Sequence, residues 1–194
     1  MKKSTMCLVF NLLVLTCMAQ MPLSHADQEA LADATNLATT WNIPLVSTSQ
    51  VWTTPFFPVD GIINVNGLQI KRSEKLEDSI ARFSVYSNNQ VVAGGELFEN
   101  PTFDEARTVL MLQVVNCNMS IRLLVDAYIV KTNNVGDFSL VWAKHDDITN
   151  TLIEDPSDIS FVRGSKAVRL RNRDGVTVQS IAEILDALLK QPPQ

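Results

Sequence analysis

The chain is poor in the side chains that most often mark catalysis or metal binding. Its 194 residues hold 2 histidines, 3 cysteines and 2 tyrosines. Cys7, Cys17 and His25 fall in an N-terminal targeting segment, so the expected mature chain keeps one cysteine, Cys117, and one histidine, His145. A single cysteine excludes an internal disulfide. In an oxidising compartment a lone thiol is either buried or paired with another chain. Cys117 reads as a buried small hydrophobe that closes a core strand. One histidine and one cysteine are too few for a zinc site. The carboxylates near His145 (Asp146, Asp147, Glu154, Asp155, Asp158) lack the ligand spacing, central glycine and closing glutamate of a calcium loop, and read as a solvated acidic segment. No serine is marked as a partner for His145, so no nucleophile–base pair can be assigned. The sequence assigns no catalytic, cofactor-binding or metal-ligating residue. Gly94-Gly95 lacks the third glycine and following helix of a dinucleotide loop, and predicts a bulge or a close backbone approach within a strand. Positive charge is also short: 16 Lys and Arg against 21 Asp and Glu, a net −5, argue against bulk nucleic-acid binding.

The N-terminus has the features of an export signal. Lys2 and Lys3 precede a nearly unbroken apolar run from Met6 to Met18, and Ser24-His25-Ala26 offers small residues at a cleavage site after Ala26. The run is too short and too soon followed by polar residues for a stable membrane span. The expected organisation is residues 1–26 as a cleaved signal peptide and residues 27–194 as a single domain, long enough for a real core. Asn118-Met119-Ser120 matches a glycosylation acceptor and, behind a signal of bacterial style, reads as chance.

The pattern along the mature chain predicts an α+β fold: one antiparallel sheet of six to nine strands with an amphipathic helix at each end. Ala30, Leu31, Ala34, Leu37, Ala38 and Trp41 mark a helix over 27–41, stopped by Pro44. A strand is expected over 45–53, then a loop in which Phe56 and Phe57 plug one end of the core. Asn66-Gly67 is a two-residue hairpin turn that sets Val65 opposite Leu68 and Ile63 opposite Ile70. Strands are expected over 80–86 and 91–98. The apolar runs within 107–131, broken at Cys117–Ser120, read as the central strand pair of the sheet. A strand over 138–143, a polar segment over 145–158 broken at Asp155-Pro156, and short strands over 159–162 and 167–170 follow. The last element is a helix over 177–190, capped by Thr177, with Val178, Ile181, Ile184, Leu185 and Leu188 on its apolar stripe.

The remaining cluster of note is basic. Arg163, Lys166, Arg169, Arg171 and Arg173 crowd one stretch, and Arg169, Arg171 and Arg173 alternate with Leu170 and Asn172. On an edge strand the three guanidinium groups would line one face and could take phosphate, sulfated sugar or an acidic partner. Two plainer roles compete: protection of a sheet edge, and pairing with the preceding acidic segment.

Val114-Val115-Asn116-Cys117, Ile121-Arg122-Leu123-Leu124 and the final helix resemble the protein E family of bacterial surface adhesins, over about half the chain. That family usually carries a second cysteine near its C-terminus, and this chain has none after Cys117. The resemblance implies a surface-displayed module that binds host matrix or serum proteins. The expectation is therefore an exported envelope protein, periplasmic or at the cell surface. It acts as a non-enzymatic binding or assembly module on a protein or an anionic envelope or host component, and needs no cofactor. An accessory or inhibitor protein of a secretion system is the second reading, and a hydrolase centred on His145 the third.

Overall fold

The computed structural model describes residues 25–48, 56–58, 61–73, 80–115, 128–132, 135–146, 148–149, 151–173 and 177–190. They form one open antiparallel sheet of eight strands and three helices, the expected α+β class. In chain order these are α1 (His25–Thr40), β1 (Ile62–Val65), β2 (Leu68–Arg72), β3 (Ile80–Ser87), β4 (Gln90–Glu99), α2 (Phe103–Val115), β5 (Tyr128–Thr132), β6 (Phe138–Asp146), β7 (Thr151–Arg163), β8 (Lys166–Asn172) and α3 (Gln179–Leu189). The strands lie in the order β1-β2-β3-β4-β8-β7-β6-β5, so β1 and β5 are the edges.

The sheet is lined on both faces. The front face carries Phe98, Ala167, Val162, Leu140 and Tyr128 beneath α1 and α2; the back face carries Phe83, Leu97, Val168, Leu170, Ile159 and Phe161 beneath α3. Alternation along β8 places Ala167 in front and Val168 and Leu170 behind, which explains its almost unbroken burial. Phe57 joins the back-face core against Phe83, with ring centroids 6.0 Å apart. Val65 pairs with Leu68 and Ile63 with Ile70, the register set by the Asn66-Gly67 turn, whose two residues take positive φ.

The expected central strand pair is not formed. Residues 103–115 are the helix α2, and Val109, Leu110, Met111, Leu112 and Val114 are all buried within it. A helix held between a sheet and a second helix is apolar around most of its girth, so a run of this kind carries no usable period. Its start is marked: Thr102 accepts a hydrogen bond from the Glu105 N–H at 3.2 Å, and the Glu105 carboxylate reaches back to the Thr102 hydroxyl at 3.4 Å. Threonine with glutamate three residues on has the capping-box spacing, a local signal that outweighs the β-branched content that follows. The second arm of the expected pair is described from Tyr128, and there it is the edge strand β5, not a central one. Cys117 and residues 116–127 lie outside the described residues, as do residues 1–24 and 174–176.

Two further boundaries differ from expectation. Of the strand expected over 45–53, residues 45–48 are irregular chain laid on α2, where the Val46 N–H donates to the Thr108 hydroxyl at 3.1 Å, and 49–53 lie outside the described residues. The polar segment over 145–158 is not broken at Asp155-Pro156: β6 runs to Asp146, and β7 runs from Thr151 straight through that pair. A register shift makes this possible. Val141 pairs with Ile159 and Ala143 with Glu154, so residues 155–158 form a bulge opposite Trp142. Proline has no N–H to give a ladder and is accommodated at such a bulge, while its carbonyl accepts the Val178 N–H at 2.8 Å.

Candidate functional site

β8 is not an edge strand. It lies between β4 and β7, paired along both sides, so its basic residues are not an edge guard. The sheet also divides the five cations between its two faces. Arg163 turns to the back, where Nε and Nη2 donate to the two carboxylate oxygens of Asp186 in α3 at 2.6 and 2.9 Å, and Nη1 meets Asp137. Burial works against the charge on Asp186, but hydrogen bonds from Arg163 and Lys190 outweigh it and hold the carboxyl below its usual range. This arginine fastens the C-terminal helix to the sheet. Lys166 pairs with Glu99 at 3.2 Å on the neighbouring strand.

Arg169, Arg171 and Arg173 turn to the front. Arg169 is buried, and its Nη1 donates to the Gln113 carbonyl at 3.2 Å, near the C-terminal end of α2, where a cation suits the helix dipole. Arg171 lies half in solvent and gives its Nε to Asp158 at 2.8 Å. Asp158 itself is buried: burial lifts its carboxyl to about 6, against the opposing attraction of Arg171. Arg173, just past β8, is exposed beside Gly94, with Nε 3.4 Å from the point where a Cβ on that glycine would stand. The guanidinium row read from the sequence thus becomes three different environments: helix anchor, ion pair and exposed cation.

The other projecting feature is the outer half of the β6–β7 hairpin. β8 accompanies β7 only as far as Asp158, and the described part of β5 accompanies β6 as far as Trp142. Among the described residues, 143–146 and 151–154 pair only with one another, as a two-stranded arm. Thr151 to Glu154 are exposed on both faces of this arm, and Ile148 at its turn is 95% exposed, with Leu152 and Ile153 also open. The turn is held by the Asp146 carboxylate, which accepts the Ile148 and Thr149 N–H groups at 2.8 and 3.3 Å; these bonds keep Asp146 ionised below its ordinary range. Asp155 stands at the base of the arm, where hydrogen bonds from Ser157 and Lys144 overcome a burial effect of opposite sign and lower its carboxyl too. Glu154 pairs there with Lys131. The backbone of His145 lies in this arm; its side chain is outside the described residues.

Among the described residues no three His, Cys, Asp or Glu side chains gather as a metal site, and no helix is long and apolar enough to cross a membrane. The arm escaped the sequence reading because Asp155-Pro156 passes for a break. The signal that could have found it is Thr151-Leu152-Ile153, a short β-favouring run beyond a turn.

No family model, no curated protein and no solved structure matches the chain.

Proposed function

We propose that this is an exported bacterial envelope protein that serves as a non-enzymatic binding or assembly module, docking through the β6–β7 arm. One observation carries the reading: a hairpin end that pairs with no other strand among the described residues displays Ile148, Leu152 and Ile153 to solvent. Apolar side chains grouped at the end of a projecting element are the usual mark of a surface that becomes covered. Asp146, Glu154 and Asp155 ring the same arm. The fitting partner is a protein with an apolar cleft rimmed by lysine or arginine, the charge pattern giving orientation and the cleft giving affinity. The likeness to surface adhesins suits a displayed arm, and an accessory role in a secretion apparatus suits it equally. Cell fractionation separates the two, since an adhesin is surface-exposed and an accessory factor remains in the periplasm.

The test is affinity capture from envelope extract with the chain and with Ile148→Asp, followed by titration of any captured protein. Moving one isoleucine from water to an apolar cleft is worth about 1.5–3 kcal/mol, so the substitution should weaken the complex at least tenfold. Ile148 is exposed, and the melting temperature should stay unchanged. Equal capture by both forms would remove the arm as the contact element.

A further inference from the structure

The turns at 66–67 and 88–89 lie side by side, because β2 pairs with β3 and sets Leu68 against Ser87. Between these two hairpin tips is a cleft of about 490 Å³, a volume in the range of small-molecule sites. Residues 64–69, Tyr86, Asn88 and Asn89 line it, and not one of them is Asp, Glu, Lys, Arg or His. The turn asparagines have a backbone reason to be there: Asn66, Asn88 and Asn89 take φ of 49°, 48° and 63°, as tight hairpin turns require.

Asn64, Gln69 and Tyr86 have no such reason. They stand in one cross-strand row, Asn64 opposite Gln69 and Gln69 opposite Tyr86. Ile70 and Val85, the next residues along, belong to the back-face core, so the row is on the front. Among the described residues, none of β1–β3 joins the front-face core under α1 and α2. Asparagine is disfavoured within strands, yet Asn64 and Gln69 form an exposed pair of carboxamides, with Gln69 Nε2 donating to Asn64 Oδ1 at 3.3 Å. That bond leaves the Gln69 oxygen to accept and the Asn64 amide nitrogen to donate. Tyr86 is half-buried at the end of the row.

We propose that this cleft binds an uncharged sugar ring, with the Tyr86 ring as its apolar platform and the Asn64–Gln69 pair holding two neighbouring hydroxyls. A pyranose presents a face of C–H bonds and a rim of hydroxyls, each of which both donates and accepts. An aromatic ring covers the face by apolar contact, and the carboxamide pair offers the rim an acceptor and a donor side by side. A lining without charged side chains suits a neutral ligand and gives an anionic one no counter-charge. Two-residue turns hold the walls in place before the ligand arrives, which limits the cost of ordering them. The cleft is separated from the β6–β7 arm by β4 and β8, and the inference stands apart from the role given to that arm.

The experiment titrates the full chain by calorimetry with maltotetraose and with chitotetraose, oligomers of glucose and of N-acetylglucosamine. At least one should bind saturably. Gln69→Ala should weaken it about fivefold, the value of one hydrogen bond. Gln69 is exposed, so the melting temperature should not move. Tyr86→Ala should weaken it about tenfold by removing the apolar platform. Tighter binding of chitotetraose assigns an acetamido sugar of the kind found in cell-wall glycan, and tighter binding of maltotetraose a plain hexose chain. Binding of neither oligosaccharide by the wild-type chain, or an affinity unchanged in Gln69→Ala, overturns the proposal. An affinity unchanged in a folded Tyr86→Ala overturns it as well, and Gln69→Ala decides alone if that variant does not fold.

Discussion

Asp158→Asn should make the protein more stable at neutral pH, although it removes one partner of a salt bridge. The Asp158 side chain is 13% exposed, whereas that of Arg171 is 51% exposed. Water therefore screens the attraction that Arg171 supplies, while the carboxylate bears almost the whole cost of burial. The result is a carboxyl raised from 3.8 to about 6 in the folded protein. At about 1.4 kcal/mol for each tenfold change in proton affinity, keeping Asp158 ionised costs the fold about 3 kcal/mol well above pH 6. The sign follows from proton counting. Between the unfolded and folded values the native state holds the extra proton, so stability rises as the pH falls from about 6 towards about 4. Roughly 1.4 kcal/mol of this gain is already present on going from about pH 7.5 to about pH 5. Asparagine removes the charge at every pH. Urea denaturation of wild type and variant at about pH 7.5, 6 and 5 should show the variant more stable by about 1–3 kcal/mol at the highest pH, the two converging as the pH falls. A variant less stable than wild type at about pH 7.5, with an unchanged difference at about pH 5, would mean that the pair with Arg171 outweighs burial, and the reasoning would fail.

Two other substitutions probe the frame. A Cβ on Gly95 would stand 2.6 Å from the Arg169 carbonyl and collide with the Phe83 ring; Gly95→Ala should destabilise by about 3 kcal/mol, since a backbone carbonyl inside a central strand pair cannot give way as a side-chain tip can. A chemical-denaturation loss under about 0.5 kcal/mol would rule out that close approach. Asp186→Ala removes two of the hydrogen bonds of Arg163 and leaves it Asp137 alone; allowing for that partner and for the 20% exposure of the arginine, the loss should be about 2 kcal/mol. Because the Asp186 carboxyl is held below its ordinary 3.8, its contribution is present above that value and disappears as the pH falls through the lower folded value. The wild-type advantage over Asp186→Ala in melting temperature should accordingly shrink in strong acid, and an advantage that grows there would contradict the pairing.

Local chemistry made much of the frame legible. Asn66-Gly67 dictates both a turn and a register, because only residues tolerant of positive φ can close so short a loop. Of the stripe of Val178, Ile181, Ile184, Leu185 and Leu188, Val178, Ile181 and Leu185 are buried members of the back-face core and Leu188 packs against it, while Ile184 is half-buried. Phe57 plugs that core, and Gly95 marks a close approach, both as their sequence context suggests. α2 was legible in principle through Thr102 and Glu105, but its uniformly apolar body points to burial without saying in which form. The basic stretch shows the opposite limit. Alternation correctly grouped Arg169, Arg171 and Arg173 on one face, yet nothing local says whether a strand is central or at an edge.

The α+β class, the hairpin register and the amphipathic terminal helix are written in the local pattern, because turns and periodicities are properties of residues a few places apart. Long-range packing sets β8 in the middle of the sheet, sends Arg163 and Arg169 to opposite faces, and buries Asp158 beside a half-exposed partner. Those outcomes depend on which strands come together across distances the chain pattern does not encode. β4 pairs with β8 across at least a helix and three strands among the described residues, and that one pairing converts a run of exposed-looking arginines into an anchor, an ion pair and an exposed cation.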